Sequence, residues 1–200
     1  MNAPYEDDDD DDFPNWNVHD YYADDDDDVI PFDSDAPEPV TGEIDINDAQ
    51  THVPIDHRRL RSLVAEVLRG EGIFTALISL ALVDDATIHR VNREHLDHDC
   101  PTDVISFVLS DEGDSVLSGE LIVSTETAAR VAAEIGAPAW NEVALYVVHG
   151  LLHLCGYDDL DEDSAATMRQ REDAALAREG LMNPFRLADP RRSESQPGSQ

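Results

Sequence analysis

The chain contains no lysine, and all 13 of its basic residues are arginine. Its first 50 residues carry no Lys or Arg at all, while the whole chain has a formal net charge of -32. So lopsided a balance excludes a diffuse, nonspecific attraction to phosphate; any basic surface has to be local. Cysteine is nearly absent too. Cys100 and Cys155 are the only two, which leaves no disulfide framework to infer. No run approaches the roughly 18 apolar residues of a membrane span, and the acidic N-terminus is the reverse of the basic start of a signal peptide. These absences lead to the expectation of a cytoplasmic protein with no membrane partner.

What is present divides into unequal parts. Residues 1–41 hold the runs "EDDDDDD" and "ADDDDD", with prolines at 4, 14, 31, 37 and 39. Self-repulsion on that scale opposes collapse, so the segment is expected to be an acidic disordered tail. The aromatics within it (Phe13, Trp16, Tyr21, Tyr22, Phe32) allow a second use, docking to a basic partner, beside the simpler one of a solvated tail. Residues 42–182 are expected to form the one folded domain, and 183–200, ending in "DPRRSESQPGSQ", a loose C-terminal tail.

Within the domain, periodicity gives a fold class. "GEIDIND" and "GELIVS" read as strands, "DVISFVLS" as a third, and "TALISLALV" as a continuous apolar strand expected to be buried on both faces. Asp56 offers an N-cap to a helix with Leu60, Leu63, Val64, Val67 and Leu68 at helical spacing. Further helices are expected over about 86–96, with Asp84 or Asp85 as N-cap, over 124–135 and 139–154, and from about 161 onward. The order β-α-β-α-β-β-α-α-α predicts an α/β (α+β) fold: a small mixed sheet of about four strands with helices packed on it.

The chemistry concentrates in "VHGLLHLCGYDD", residues 148–159. His149 and His153 lie one helical turn apart on one face, where two imidazoles reach a single cation. Gly156 permits a left-handed exit that returns the chain toward the metal, and Asp159 falls where a third ligand is needed. The run matches the extended metalloprotease pattern H-E-x-x-H-x-x-G-x-x-H at three positions. It departs at two: Gly150 replaces the general-base Glu, which argues against peptide hydrolysis, and Asp159 replaces the third His. A carboxylate is an accepted zinc ligand, though it leaves the site less positive and open to harder ions such as Mn²⁺. Asp158 is the rival ligand, or else orients an imidazole. Cys155 points off the histidine face and is expected in the core. A buried helix that happens to carry two histidines is the plain alternative.

"HGLLHLCGYDD" together with "PTDVISF", about 45 residues upstream, resembles the YbeY family of rRNA maturation factors. The family hallmark is H-G-x-L-H-L-x-G-Y-D-H, and ten of its eleven positions agree, wildcards included. The resemblance runs from about Ile44 to Gly180 and takes in "GELIVS" and the closing helix with Met168 and Glu172.

It implies a metal-dependent endoribonuclease acting on single-stranded RNA, in maturation of the 16S rRNA 3′ end and in ribosome quality control. It also implies one Zn²⁺ on His149 and His153, with rRNA and the small ribosomal subunit or its proteins as partners. The third ligand, Asp159, is assigned from its chemistry alone. No general base is assigned; the metal centre itself is the catalytic element. The family places an Arg in R-x-x-D-x-P-T where this chain has Leu96. Arg93, and Arg90 less directly, are candidate RNA-binding substitutes, or simply exposed helix charges. Thr102 and Asp103 match the motif, with strand entry and catalysis both open to them. From residue 51 onward 26 acidic residues face 13 basic ones, which predicts weak, salt-dependent binding to naked RNA and recruitment through basic ribosomal proteins. Leu96 and Asp159 keep open a different class, a ribosome-associated binding factor with a structural metal and weak or lost nuclease activity.

Overall fold

A computed structural model of the chain describes residues 38–96 and 99–184. The expected acidic tail up to residue 37, and the C-terminal segment from 185, lie outside the described residues. Nine elements follow in the order β1 (Thr41–Asp48), α1 (His57–Gly70), β2 (Thr75–Val83), α2 (Asp85–Leu96), β3 (Val104–Val108), β4 (Leu117–Ser124), α3 (Thr125–Ile135), α4 (Ala139–Leu154) and α5 (Glu162–Arg178). Two described residues just beyond the expected bounds of 42–182 make ordered contacts. Thr41 already pairs with Thr75 in the sheet, and Asn183 is buried and donates to the Asp173 carboxylate at 2.9 Å.

The sheet is mixed, in the order β1-β2-β4-β3, with β1, β2 and β4 parallel and β3 antiparallel at the edge. Local chemistry sets most helix starts. The Asp56 side chain accepts from the amides of Arg58 and Arg59, Ser124 from Thr127, and Asp161 closes a capping box with Ser164. The chain leaves α3 through Gly136 at φ +70°, a conformation that favours glycine.

Alternate residues of β2 (Ala76, Ile78, Leu80, Leu82) face a core shared with Leu60, Leu63, Val64, Val67 and Leu68 of α1 and with α3, α4 and α5. α4 is buried almost all round, as a helix without a polar face has to be; after its first turn the partly exposed residues are His149 and His153. On the opposite face of the sheet, Ile88 of α2 packs against Val83, Ile105 and Ile122. That single short helix covers only one end, so β2 is not buried on both faces: Leu77 is 47% exposed. The unbroken apolar run concealed this, because Leu77 and Ile78 read alike in sequence and face opposite ways in the strand.

Gly150 has a packing reason to be glycine. A Cβ there would come within 2.8 Å of Leu121 Cδ2 and 3.0 Å of Val104 Cγ2, so α4 rests directly on β4 and β3 through this position. The close neighbours are side chains of the sheet.

Candidate metal centre

α4 carries both histidines to the mouth of a cleft of about 470 Å³, beside the entry to β3 and the end of α2. Each Nδ1 faces a group that can only accept. His149 donates to the Glu172 carboxylate of α5 at 2.7 Å, and His153 donates to the Tyr157 carbonyl at 2.9 Å. Those partners hold the ring protons on Nδ1 and leave both Nε2 atoms as lone pairs. The two Nε2 atoms lie 3.1 Å apart. Lone pairs at that distance repel unless a cation or an extra proton sits between them.

Asp159 completes the convergence. Its Oδ2 is 3.9 Å from His149 Nε2 and its Oδ1 is 3.9 Å from His153 Nε2. One donor atom from each of the three residues falls within 4.8 Å of the others, and among the described residues this is the one such group. Zinc bonds of about 2.0–2.2 Å in a tetrahedron put ligand atoms about 3.4 Å apart, which the observed separations bracket. The donor set therefore fits a divalent cation.

Charge supports the same fit. Glu172 is 3% exposed, and its Oε2 has no hydrogen-bond partner among the described residues. An ionised carboxylate so buried is stabilised by positive charge close by, and among the described residues its hydrogen bond is with the His149 ring. Burial pulls the His149 pKa down, but Glu172, Asp159 and Asp103 more than offset it and hold the imidazole above its ordinary value. The acids around His149 thus favour positive charge at this position.

The other expected site residues are distributed unevenly. Thr102 and Asp103 line the cleft. Asp103 Oδ1 accepts from the Val104 amide and the Thr102 hydroxyl, and its carbonyl accepts from the Ser124 amide, so it fixes the strand entry while facing the cleft. α2 presents Asn92 and Leu96 to the cleft, whereas Arg90 and Arg93 are exposed and do not line it. Among the described residues no arginine lines the cleft, and its charged side chains apart from the histidines are Asp103 and Asp159.

Asp158 does not orient an imidazole. Its carboxylate accepts from the Leu160 amide at 3.3 Å, and the orienting work falls to Glu172 and the Tyr157 carbonyl. Cys155 packs against the main core, where burial, with Glu71 nearby, pushes its thiol up to about 12. Two further residues contribute to the site. Asn92 is 4% exposed and donates to the Cys100 carbonyl at 2.7 Å, which ties α2 to the loop before β3. Glu172 follows Met168 by one turn on the buried face of α5, and an acid at an inward position was the available signal.

An α/β domain with two imidazoles and a carboxylate converging at a cleft belongs to the class of candidate metalloproteins. The family model of endoribonuclease YbeY matches residues 45–180. Endoribonuclease YbeY of Carboxydothermus hydrogenoformans is 39% identical over 140 residues, covering 68% of this chain and 97% of that protein. Its counterpart in Moorella thermoacetica is 40% identical over 157 residues, covering 70% and 98%. The solution structure of a Thermotoga maritima protein aligns at a TM-score of 0.49 and 22% identity, covering 79% of this chain and 100% of that one. The chain belongs to the endoribonuclease YbeY family.

Proposed function

We propose that this chain is a metal-dependent endoribonuclease that cuts single-stranded RNA in rRNA maturation, at the 16S rRNA 3′ end, and in ribosome quality control. Membership of a family named for endoribonuclease activity supports the reaction class. The observation that carries the metal dependence is the pair of Nε2 lone pairs 3.1 Å apart beside Asp159. His149, His153 and Asp159 hold one Zn²⁺, and the carboxylate also admits harder divalent ions such as Mn²⁺. A divalent cation bound there would supply Lewis-acid stabilisation of phosphate charge and acidify a bound water.

The protein's own part is to bind and orient. Glu172 and the Tyr157 carbonyl fix both imidazoles in the metal-ready tautomer, and Leu96, Pro101 and Ile105 give the cleft apolar walls. Gly150 offers no base, which separates this chemistry from peptide hydrolysis. Arg93 and Arg90, outside the cleft on α2, serve the flanking phosphates. Replacing either by Ala should raise KM with kcat unchanged and lower the salt slope by about one. Small-subunit ribosomal proteins bring the substrate, the acidic N-terminal segment contacts a basic partner, and the protein works in the cytoplasm.

The acid-lined cleft, with no arginine among the described residues that line it, favours one second reading, a ribosome-associated binding factor with a structural metal. Incubating the metal-loaded full chain with single-stranded RNA separates the two, with His153→Ala as the blank. Cleavage that tracks metal loading is expected. Stoichiometric metal without cleavage above the blank would favour the binding factor.

A further inference from the structure

The loop between α4 and α5 has little to hold it. Gly156, Asp158, Asp159 and Leu160 are all exposed, Leu160 to 90%. Tyr157 is the half-buried exception. It follows Gly156, whose φ of +92° turns the chain out of the helix, and its amide donates back to the Leu152 carbonyl at 3.0 Å. Its own carbonyl is the acceptor for His153 Nδ1. Two residues further on comes Asp159.

The Tyr157 side chain is anchored at both its edge and its face. The hydroxyl donates to Glu71 Oε2 at 2.7 Å, across 86 residues of chain. Glu71 caps the C-terminus of α1, and its side chain is 11% exposed. The Arg171 guanidinium lies 5.4 Å from the Tyr157 ring centroid and 3.6 Å from Glu71 Oε1. Arg171 and Glu172 are neighbours on α5: one braces Tyr157, the other holds His149. Both imidazoles are therefore referenced to one helix.

We infer that Tyr157, braced by Glu71 and Arg171, is a positioning residue that sets His153 and the approach of Asp159 to the metal; this rests on the metal centre proposed above. The Leu152 carbonyl already holds the Tyr157 amide, so the freedom left is the rotation that aims the Tyr157 carbonyl, and a pinned side chain on that residue limits it. Here the pinned side chain belongs to the residue whose carbonyl fixes His153. Nothing else in residues 156–160 is buried enough to do the same.

The test uses the full chain with Tyr157→Phe, which removes only the hydroxyl, and Glu71→Gln, which keeps an oxygen acceptor for it. The readouts are Zn²⁺ affinity, the visible absorption spectrum of the Co²⁺-loaded protein, and kcat and KM on single-stranded RNA. Tyr157→Phe should weaken Zn²⁺ binding about tenfold, at the low end for a partner outside the ligand set. It should also change the Co²⁺ spectrum and lower kcat with KM unchanged, whereas Glu71→Gln on its own, with the Tyr157 hydroxyl still present, should keep most of the wild-type value of each. Wild-type affinity and spectrum in Tyr157→Phe, whatever its melting temperature, would overturn the inference and leave the metal centre standing. A wild-type chain that binds no metal would overturn the centre itself, and the inference with it.

Discussion

Glu172 accepts the Nδ1 proton of His149 at 2.7 Å although it lies 23 residues further along the chain. It does so from a position 3% exposed, with its second oxygen unpaired among the described residues. The contact makes His149 a better electron donor to a cation at Nε2 and holds the ring in place. Replacing Glu172 by Gln keeps the shape and removes the charge. Metal affinity should fall tenfold to a hundredfold in a competition titration against a chelator. An unchanged affinity would mean that the carboxylate only fills space.

Gly150 tests the packing beneath the site. Alanine in a helix gains about 1 kcal/mol over glycine, but here its Cβ would press on Leu121, which is fully buried, and on Val104. Overpacking of a filled core costs about 1–3 kcal/mol, so the steric term should win. Gly150→Ala is expected to lose on the order of 1 kcal/mol in urea denaturation. A variant more stable than wild type would show that the contact between α4 and β4 relaxes at little cost.

Glu142 gives a pH-dependent prediction away from the ligands. Burial raises its pKa first and foremost; a hydrogen bond with Tyr146 works against this, and the charge of Asp103 adds to the rise. A carboxyl whose folded pKa lies above its unfolded value contributes stability that is full below the unfolded value. That contribution is lost as pH rises through the folded pKa. Glu142→Gln cannot ionise and escapes the loss. Its stability relative to wild type should improve as pH rises from 4 to 8, measured by urea midpoints at both. A constant difference would contradict the sign.

How much of this was legible beforehand depends on the range of the interaction. Asp56, Ser124 and Asp161 cap helices within three residues of themselves, so the helix starts could be read directly. His149 and His153 share a helix, and Gly156 and Asp159 follow by a fixed number of residues, so their convergence was readable from spacing. Glu172 and Glu71 reach the site through the packing of α5 and α1, across 23 and 86 residues, and no local pattern encodes that. Asp158 illustrates the converse: next in sequence to Asp159, it turns to the Leu160 amide instead. Leu77 was misjudged because burial of a strand depends on how far α2 extends over the sheet.

Asp159 is where this chain departs from the family hallmark, and it decides whether the three groups act as one centre. The most direct measurement is stoichiometric metal content of the full chain by elemental analysis, for wild type, Asp159→Ala and Asp159→His, beside cleavage of single-stranded RNA. About one divalent ion per wild-type chain is expected, as a single three-residue ligand set requires. Asp159→Ala should lose most of the metal and the cleavage, and Asp159→His should recover both with tighter zinc binding. Full metal content and undiminished cleavage in Asp159→Ala would show that Asp159 is not a ligand.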